Sequence, residues 1–508
     1  MRMTGPHPAR PPHAVVDIGS NSVRLVVYDG LERAPFPRFN EKSLCRLGAG
    51  LAETGELSAD GCRRTLAALR RFAAVAGAMN VPRIDVIATE AVRRASNGNS
   101  LVAAIAGETG LAVRVISGAE EAHYAALGVI AGFYQPAGVV GDMGGGSLEV
   151  AAIAEGSVGD DSASLPLGAL PVQALLAQSS VEARRRIDTL LAESLPPGFG
   201  RATFYAIGGG WRSLARAHML SVDAPVRVAH GYSLDAATAR DFAKTLWRPG
   251  EGRSPALAGI PARRARTLQA SALVLDRLLR RLAPERIVFS ALGLREGWLY
   301  AQLEPWVQAL DPLLESARAF GTASARVPAF LPALERWTSA IFEGESHAEK
   351  RLRLAACALS DVAWRDHPDV RAIESYRRLL QFPFIGLNHP ERAFVAAAIH
   401  ARYAGKADDP LLGAAIGLLP PDARRRALVL GRVLLLGYRI SGSVPDILES
   451  ARLSIEPGAV KLEVSVGARV PDSEVVLDRL NLLAAALGVR NTAIVEAALA
   501  PGAELRLP

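Results

Sequence analysis

Apolar residues in the first half of the chain form short runs that end at clusters of small and polar residues. Residues 14–29 read AVVDIGSNSVRLVVYD, with one apolar run on each side of a small polar turn. Residues 138–155 read GVVGDMGGGSLEVAAIAE and repeat that outline. Each pattern predicts a β-hairpin with its polar loop at the tip. The separation of Asp17 and Asp142 along the sequence is too long for a solenoid repeat and favours two related α/β domains.

Strands and helices alternate around these hairpins, which is typical of α/β layers. The predicted segments are a helix over 58–79 capped by Ser58, a strand over 112–116, a helix from about Glu120, and strand–turn–helix units over 202–218 and 286–300. Beyond about residue 306 helical patterns dominate. In 447–508 two strands joined by a Pro-Gly turn precede an amphipathic helix, which predicts a small α/β unit.

Length and composition narrow the class of protein. With 508 residues, half of them hydrophobic, the chain can form several domains. No apolar run reaches the roughly 18–20 residues that a membrane helix needs. Residues 1–12 are rich in proline and have no apolar core segment, so we expect a disordered leader and no signal peptide. The three cysteines match no zinc or redox spacing, which favours the reduced cytoplasm.

The net charge of +7 comes from an unusual excess of arginine, since only five of the 58 basic residues are lysine. Codon composition alone explains such an excess, because arginine and alanine codons are GC-rich. An anionic ligand is the functional alternative, because guanidinium groups match phosphate oxygens in pairs. Nucleic acid is disfavoured, because aromatic residues make up 6% of the chain and no basic run is interleaved with them.

The two hairpin tips are the strongest indication of chemistry. Glycines after a strand can direct successive N–H groups at a phosphate, although a single glycine cluster is usually a structural turn. Here the tip occurs twice, each copy begins with an aspartate, and each contains serine. Two such tips facing each other across a cleft would hold a phosphoryl group. Asp17 and Asp142 would suit a hydrated Mg²⁺, with a turn-capping role as the alternative.

Five segments together resemble the exopolyphosphatase / guanosine pentaphosphate phosphohydrolase family of the actin-like ATPase-domain superfamily. They are DIGSNS (17–22), TEAVR (89–93), ISGAEEA (116–122), DMGGGSLE (142–149) and LGLREG (292–297). The resemblance covers roughly residues 14–300. It implies two actin-like (ribonuclease H-like) α/β domains with an interdomain cleft, followed by a helical domain of the degenerate HD type. The expected domains are 13–134, 135–306, the helical 307–445, and a small α/β domain at 446–508.

The resemblance also implies residue roles. Glu121 matches the catalytic base that activates the attacking water, and phosphoryl transfer asks for little else beyond positioning and charge neutralisation. Arg93 matches a phosphate clamp, whereas Glu120 and Arg94 are expected at the surface. Asp142 and Glu149 match positions linked to metal and water, with Asp17 as a third metal ligand. The remaining expected phosphate-binding residues are Ser20, Asn21, Ser22, Gly144, Gly145, Gly146, Ser147, Gly208 and Gly209.

The helical region departs from the HD pattern, because no His-Asp dipeptide occurs in the chain. Ser360 precedes Asp361 where the histidine is expected. We therefore predict a domain without a catalytic metal, which lengthens a substrate channel or forms a dimer interface.

The first functional hypothesis is processive, Mg²⁺-dependent removal of terminal orthophosphate from linear polyphosphate, with a monovalent cation as an optional companion. The alternative is the same hydrolysis on guanosine pentaphosphate, because both substrates need the same terminal-phosphate site. An actin-like small-molecule kinase would give Glu121 no role, and a non-catalytic alarmone or polyphosphate sensor would be expected to lose it. No nucleic acid or membrane partner is expected, and a homodimer is expected by resemblance and base rate.

Overall fold

The structure is a computed structural model of the 508-residue chain. It describes residues 11–196, 198–248, 262–467 and 473–497, without the side chains of 262–266. Nearly all of the predicted leader, residues 1–10, lies outside the described residues. The chain divides into two compact units, Met1–Pro312 and Leu313–Pro508.

The first sheet is built around the first predicted hairpin. Its strands are β1 (His13–Ile18), β2 (Val23–Tyr28), β3 (Pro37–Ser43), β4 (Arg83–Ala88) and β5 (Val113–Val115), in the order β3-β2-β1-β4-β5. β1 and β2 are antiparallel, whereas β4 runs parallel to β1. β1 is buried on both faces and nearly continuously apolar, as expected for the central strand of a layered α/β sheet.

The second sheet contains the second predicted hairpin. Its strands are β6 (Gly138–Met143), β7 (Leu148–Ala154), β8 (Ser157–Leu165), β9 (Thr203–Ile207), β10 (Ser233–Asp235) and β11 (Arg286–Phe289), in the order β10-β11-β9-β6-β7-β8. β6 and β7 pair antiparallel with Asp142 directly opposite Glu149. Directly opposed residues lie on the same face of a sheet, so both carboxylates are on one side of the hairpin.

The helices of the first unit pack against these two sheets. They are α1 (Leu51–Thr54), α2 (Ala59–Ala78), α3 (Glu90–Arg94), α4 (Gly98–Thr109), α5 (Gly118–Gly132), α6 (Ala169–Gln178), α7 (Ser180–Ser194), α8 (Gly209–Ser221), α9 (Ala236–Trp247), α10 (Ala262–Leu282), α11 (Leu294–Tyr300) and α12 (Pro305–Gln308). The Ser58 hydroxyl accepts the N–H of Gly61 at the start of α2, which confirms the predicted cap.

Two helices pack on the sheet that the linear domain order would not assign to them. The apolar face of α5, including Ala126 and Val129, lies in one core with Val140 and Ile153 of the second sheet. Yet α5 falls within the predicted first domain, 13–134. Conversely, Trp298 and Leu299 of α11 pack with Val15 and Ile87 of the first sheet. Helix α5 therefore packs as part of the second sheet's layer, and helix α11 packs against both sheets.

Asp85 anchors α11 to the far end of the first sheet. Its Oδ2 lies 2.9 Å from His13 Nε2 and accepts hydrogen bonds from Trp298 Nε1 at 2.8 Å and Gln302 Nε2 at 3.0 Å. Burial alone would raise the pKa of Asp85, but these hydrogen bonds and one from Arg83 lower it below its ordinary value. The carboxylate is thus most stable when it is ionised in the folded chain.

The second unit has the predicted helical region and a small third sheet. Its helices are α13 (Pro312–Ser324), α14 (Leu331–Ser339), α15 (His347–Leu359), α16 (Arg371–Gln381), α17 (His389–Arg402), α18 (Gly413–Ile416), α19 (Pro421–Ser441), α20 (Pro445–Glu449) and α21 (Glu474–Leu487). Strands β12 (Ala451–Glu456), β13 (Ala459–Ser465) and β14 (Asn491–Ala497) complete it. The predicted α/β fold with a helical C-terminal region is confirmed.

Arginine side chains surround the aspartate of the degenerate HD pair. Asp361 is buried and accepts a hydrogen bond from Arg326 Nη2 at 2.8 Å, and Arg402 Nη2 lies 3.5 Å away. The Ser360 hydroxyl is 2.8 Å from the Tyr438 hydroxyl. Guanidinium groups therefore compensate the charge of this carboxylate.

None of the helices in the described part of the chain is long and apolar enough to cross a membrane.

Candidate active site

The tips of the two hairpins face each other. Residues 19–22 join β1 to β2, and residues 144–147 join β6 to β7. A Cβ atom placed on Gly145 would lie 3.3 Å from the Cβ of Ser20 and 3.5 Å from the backbone N of Asn21. The two tips therefore approach each other closely, as the duplicated sequence pattern predicts.

The start of α6 orients the backbone of the second tip. The carbonyl oxygens of residues 144–146 accept hydrogen bonds of 2.8 to 3.2 Å from the N–H groups of residues 168–170. In a trans peptide the next N–H points away from the carbonyl, so the N–H groups of residues 145–147 are directed to the opposite side. A Cβ on Gly168 would lie 2.3 Å from the carbonyl carbon of Gly146, so this close approach requires glycine. No motif in the sequence indicates a role for Gly168.

Glu121 owes its position to the way α5 begins. The helix starts at Gly118, two residues before the predicted start, and Ser117 is its N-cap. Ser117 and Glu120 form a capping box, and Arg114 binds Glu120 at 2.7 Å. These contacts keep Glu120 at the surface, as expected, and lower its pKa through the hydrogen bonds to Ser117 and Arg114. Glu121, about 100° further round the helix, points inward and is 8% exposed.

Arg93 lies beside Glu121. Its Nη1 is 3.3 Å from Glu121 Oε2 and donates a hydrogen bond to the Ile116 carbonyl at 2.6 Å. Burial raises the pKa of Glu121 to about 8, an effect that Arg93 opposes and the nearby carboxylate of Asp142 adds to. A carboxylate whose pKa lies near the working pH is well matched to accept a proton from water.

Glu149 is the second buried carboxylate of the site, at 2% exposure. It accepts a hydrogen bond from the Ser164 hydroxyl at 2.9 Å, and the Ser147 side chain also hydrogen-bonds to it. Burial and the charge of Glu121 raise the pKa of Glu149 well above its ordinary value. Two carboxylates in such a site resist simultaneous ionisation, so the pair favours a state that retains a proton.

Asp17 and Asp142 are each accompanied by an arginine that the sequence reasoning left without a role. Arg295 Nη1 binds Asp17 Oδ2 at 3.0 Å, and the charge of Arg212 acts on Asp142. Burial raises the pKa of Asp142 to about 6, opposed by Arg212 and increased by Asp17. Arg295 lies in the LGLREG segment and Arg212 follows the glycines at 208–210, but neither pattern indicates which carboxylate each arginine pairs with.

The predicted three-ligand metal site is not assembled. Among the described residues, no group of three His, Cys, Asp or Glu side chains lies close enough together to hold a metal ion. Asp17 forms an ion pair with Arg295, and Glu149 accepts hydrogen bonds from serine hydroxyls. A hydrated Mg²⁺ needs only one or two carboxylates. Asp142, whose pKa is raised by burial and by the charge of Asp17, is the carboxylate best suited to such an ion, whereas Glu149 fits a role beside Glu121.

The other predicted phosphate-binding residues differ in their exposure and in the contacts that they make. Ser20 is 6% exposed, and its hydroxyl donates to Glu90 Oε2 at 2.9 Å, so its proton does not face the cleft. Asn21 and Ser22 are partly exposed at the first tip. Gly208 has a φ of 110°, and a Cβ there would lie 2.4 Å from the Met143 carbonyl oxygen, so it packs against the second hairpin.

Gly209, the first residue of α8, has no atom within 4 Å of its Cβ position and so borders open space. Arg94, expected to be solvated, is half-exposed and pairs with Glu90 at 2.7 Å. Glu90 lies in the TEAVR segment, but no pattern in the sequence indicates a role for it.

Comparison with known proteins shows the family of the chain. Residues 12–305 match the profile of the Ppx/GppA phosphatase family. The chain belongs to this family. Residues 313–494 match the profile described as exopolyphosphatase, C-terminal. The predicted family and the predicted enzyme class, a phosphatase that acts by hydrolysis, are thereby confirmed.

Proteins similar to this chain include bacterial and yeast proteins. Exopolyphosphatase 1 of Mycobacterium tuberculosis (strain H37Rv) is 28% identical over 305 residues, covering 57% of this chain and 88% of that protein. Retrograde regulation protein 2 of Saccharomyces cerevisiae is 25% identical over 435 residues, covering 77% of this chain and 72% of that protein.

Similarity to the first of the following solved structures supports the fold. An exopolyphosphatase from Cytophaga hutchinsonii has a TM-score of 0.51 at 24% identity, covering 57% of this chain and 97% of its own. A Ppx/GppA family member from Aquifex aeolicus has a TM-score of 0.49 at 28% identity, with 57% and 96% covered.

Proposed function

We propose that this phosphatase removes terminal orthophosphate from linear inorganic polyphosphate. The observation that carries the proposal is a buried glutamate, Glu121, with a raised pKa, near Asp17 and Asp142 at the bases of two hairpin tips that approach each other. The relatives named exopolyphosphatase, and the C-terminal profile of that name, favour polyphosphate as the substrate.

The reaction requires one bond to form and one to break. The ionised Glu121 accepts a proton as the water oxygen bonds to the terminal phosphorus, and the bridging P–O bond breaks with its electron pair left on the shortened chain. The N–H groups of residues 145–147 and the guanidinium of Arg93 would balance charge on the transferred phosphoryl oxygens. A Mg²⁺ ion near Asp17 and Asp142 would supply further neutralisation when bound.

Guanosine pentaphosphate is the second candidate substrate, because its terminal phosphate would occupy the same site. Competition assays on one preparation separate the two substrates. We expect orthophosphate release from long-chain polyphosphate in the presence of Mg²⁺, with a higher kcat/KM than for guanosine pentaphosphate. The reverse preference would overturn the choice of polyphosphate and leave the hydrolase assignment in place.

Glu121→Gln is the decisive variant, and Glu120→Gln is its matched control on the same helix. We expect the first to lower kcat by at least about a hundredfold, the range of general-base catalysis, and the second to retain activity. Full activity in Glu121→Gln would remove the proposed base.

The proposal extends to Mg²⁺ dependence, a homodimer and action in the cytoplasm. Activity should disappear on chelation and return with Mg²⁺, a monovalent cation adding to the rate if one shares the site.

Sedimentation should give twice the monomer mass, and a monomer at working concentration would contradict the dimer.

A further inference from the structure

Glu90 is a buried carboxylate between the two hairpin tips. It is the first residue of α3, directly after the turn that ends β4, and is 6% exposed. Its Oε2 accepts the hydroxyl proton of Ser20 at 2.9 Å, and its Oε1 is paired with Arg94 at 2.7 Å. A buried carboxylate with both oxygens engaged is held in one orientation.

The same carboxylate fills the space where the second tip lacks a side chain. A Cβ placed on Gly146 would lie 2.0 Å from Glu90 Oε2 and 3.0 Å from Ser20 Oγ. Glu90 therefore binds the first tip through a hydrogen bond and contacts the bare backbone of the second tip. Gly146 is glycine here because the carboxylate takes the volume that a methyl group would need.

We propose that Glu90 is a positioning residue that sets the distance between the two tips, and that Ser20 acts through it and does not donate to the substrate. The proposal rests on the proposed hydrolysis at this site, because the tip distance fixes where the N–H groups of residues 145–147 meet the phosphoryl group. A misplacement of about 1 Å can cost about a hundredfold in rate, so a rigid spacer at this point matters for turnover.

The contact between Glu90 and Gly146 predicts that Glu90→Ala should partly restore the activity that Gly146→Ala loses. Gly146→Ala should lower kcat/KM by about tenfold or more, because its methyl group collides with the carboxylate and separates the tips. Glu90→Ala alone should also lower it, because the tips lose their spacer. The double variant should exceed Gly146→Ala in kcat/KM, because the methyl group enters the volume that the carboxylate has left.

Two further variants separate this spacer role from a general loss of structure. Gly145→Ala points its methyl group at Ser20 Cβ, 3.3 Å away, and not at Glu90, so Glu90→Ala should not rescue it. Glu90→Gln keeps the volume and an oxygen acceptor for Ser20, so it should lose less than Glu90→Ala and should not rescue Gly146→Ala. Melting temperatures establish that each variant is folded.

Equilibrium binding of inorganic phosphate, measured by calorimetry on the same full-length variants, distinguishes this proposal from the proposed function. If the double variant regains phosphate binding but the wild type hydrolyses no polyphosphate, the spacer role of Glu90 is supported and the proposed hydrolysis of polyphosphate is rejected. Hydrolysis by the wild type without rescue in either measurement would overturn the spacer role. A wild type that binds no phosphate would also overturn it.

Discussion

Replacing Glu121 with glutamine should make the folded chain more stable while removing its activity. The carboxylate is 8% exposed, and burial holds its pKa at about 8 instead of 4.5. Between those two values the folded state binds more protons than the unfolded state, so stability falls as the pH rises. At about 1.36 kcal/mol per pKa unit, the cost is about 3 kcal/mol at pH 7 and approaches about 5 kcal/mol above pH 8.

Glu121→Gln removes this cost. Part of the gain is offset because Arg93 loses its carboxylate partner and because Glu149, without the charge of Glu121 beside it, ionises more readily. Thermal unfolding without divalent cations, from pH 4 to 8.5, is the assay. The variant and the wild type should melt together at the acid end, and the variant should melt at increasingly higher temperature as the pH rises to about 8.

Glu120→Gln is the control, because its carboxylate is half-exposed and its pKa is lowered by the helix cap. Its loss should reduce the melting temperature slightly instead of raising it. If the wild type and Glu121→Gln melted together at pH 8, Glu121 would not be a desolvated base and the reasoning would be refuted.

Three further outcomes follow from the geometry. The kcat/KM of the wild type should rise with pH towards a plateau above about 8, because Glu121 acts when ionised and its pKa is raised to about 8; a pH–rate profile that falls over this range would contradict the base assignment. Asp85→Asn should destabilise the fold by about 1–3 kcal/mol at neutral pH, since its hydrogen-bond donors lose a charged acceptor. Because the folded pKa of Asp85 is lowered, its contribution should shrink as the pH falls below about 4, and an equal loss at every pH would count against it. Gly168→Ala should raise KM for the phosphate substrate by displacing the second tip, whereas Gly77→Ala, with open space around its Cβ, should leave KM unchanged; equal KM values in both would argue against the tip geometry.

The sequence by itself determined the local elements and the family. Alternating apolar runs around small-residue turns are a property of neighbouring residues, so both hairpins and the Ser58-capped helix could be read directly. The motif set identified the family. Glu121 was found because its segment matches a family motif, and helical geometry alone then separated it from Glu120.

Tertiary structure decided which charges meet. Arg295 is far from Asp17 in sequence, and α11 brings the two together only by packing on the first sheet. Glu90 looked like an ordinary residue of a helix start, and its contacts with Ser20 and Gly146 depend on how both tips converge. Among the described residues the three expected metal ligands do not form one cluster, for the same reason: register places Asp142 opposite Glu149 but does not indicate that Arg295 pairs with Asp17. Periodicity records each segment's buried face, whereas the pairing of ionised side chains depends on distances between segments that no local pattern encodes.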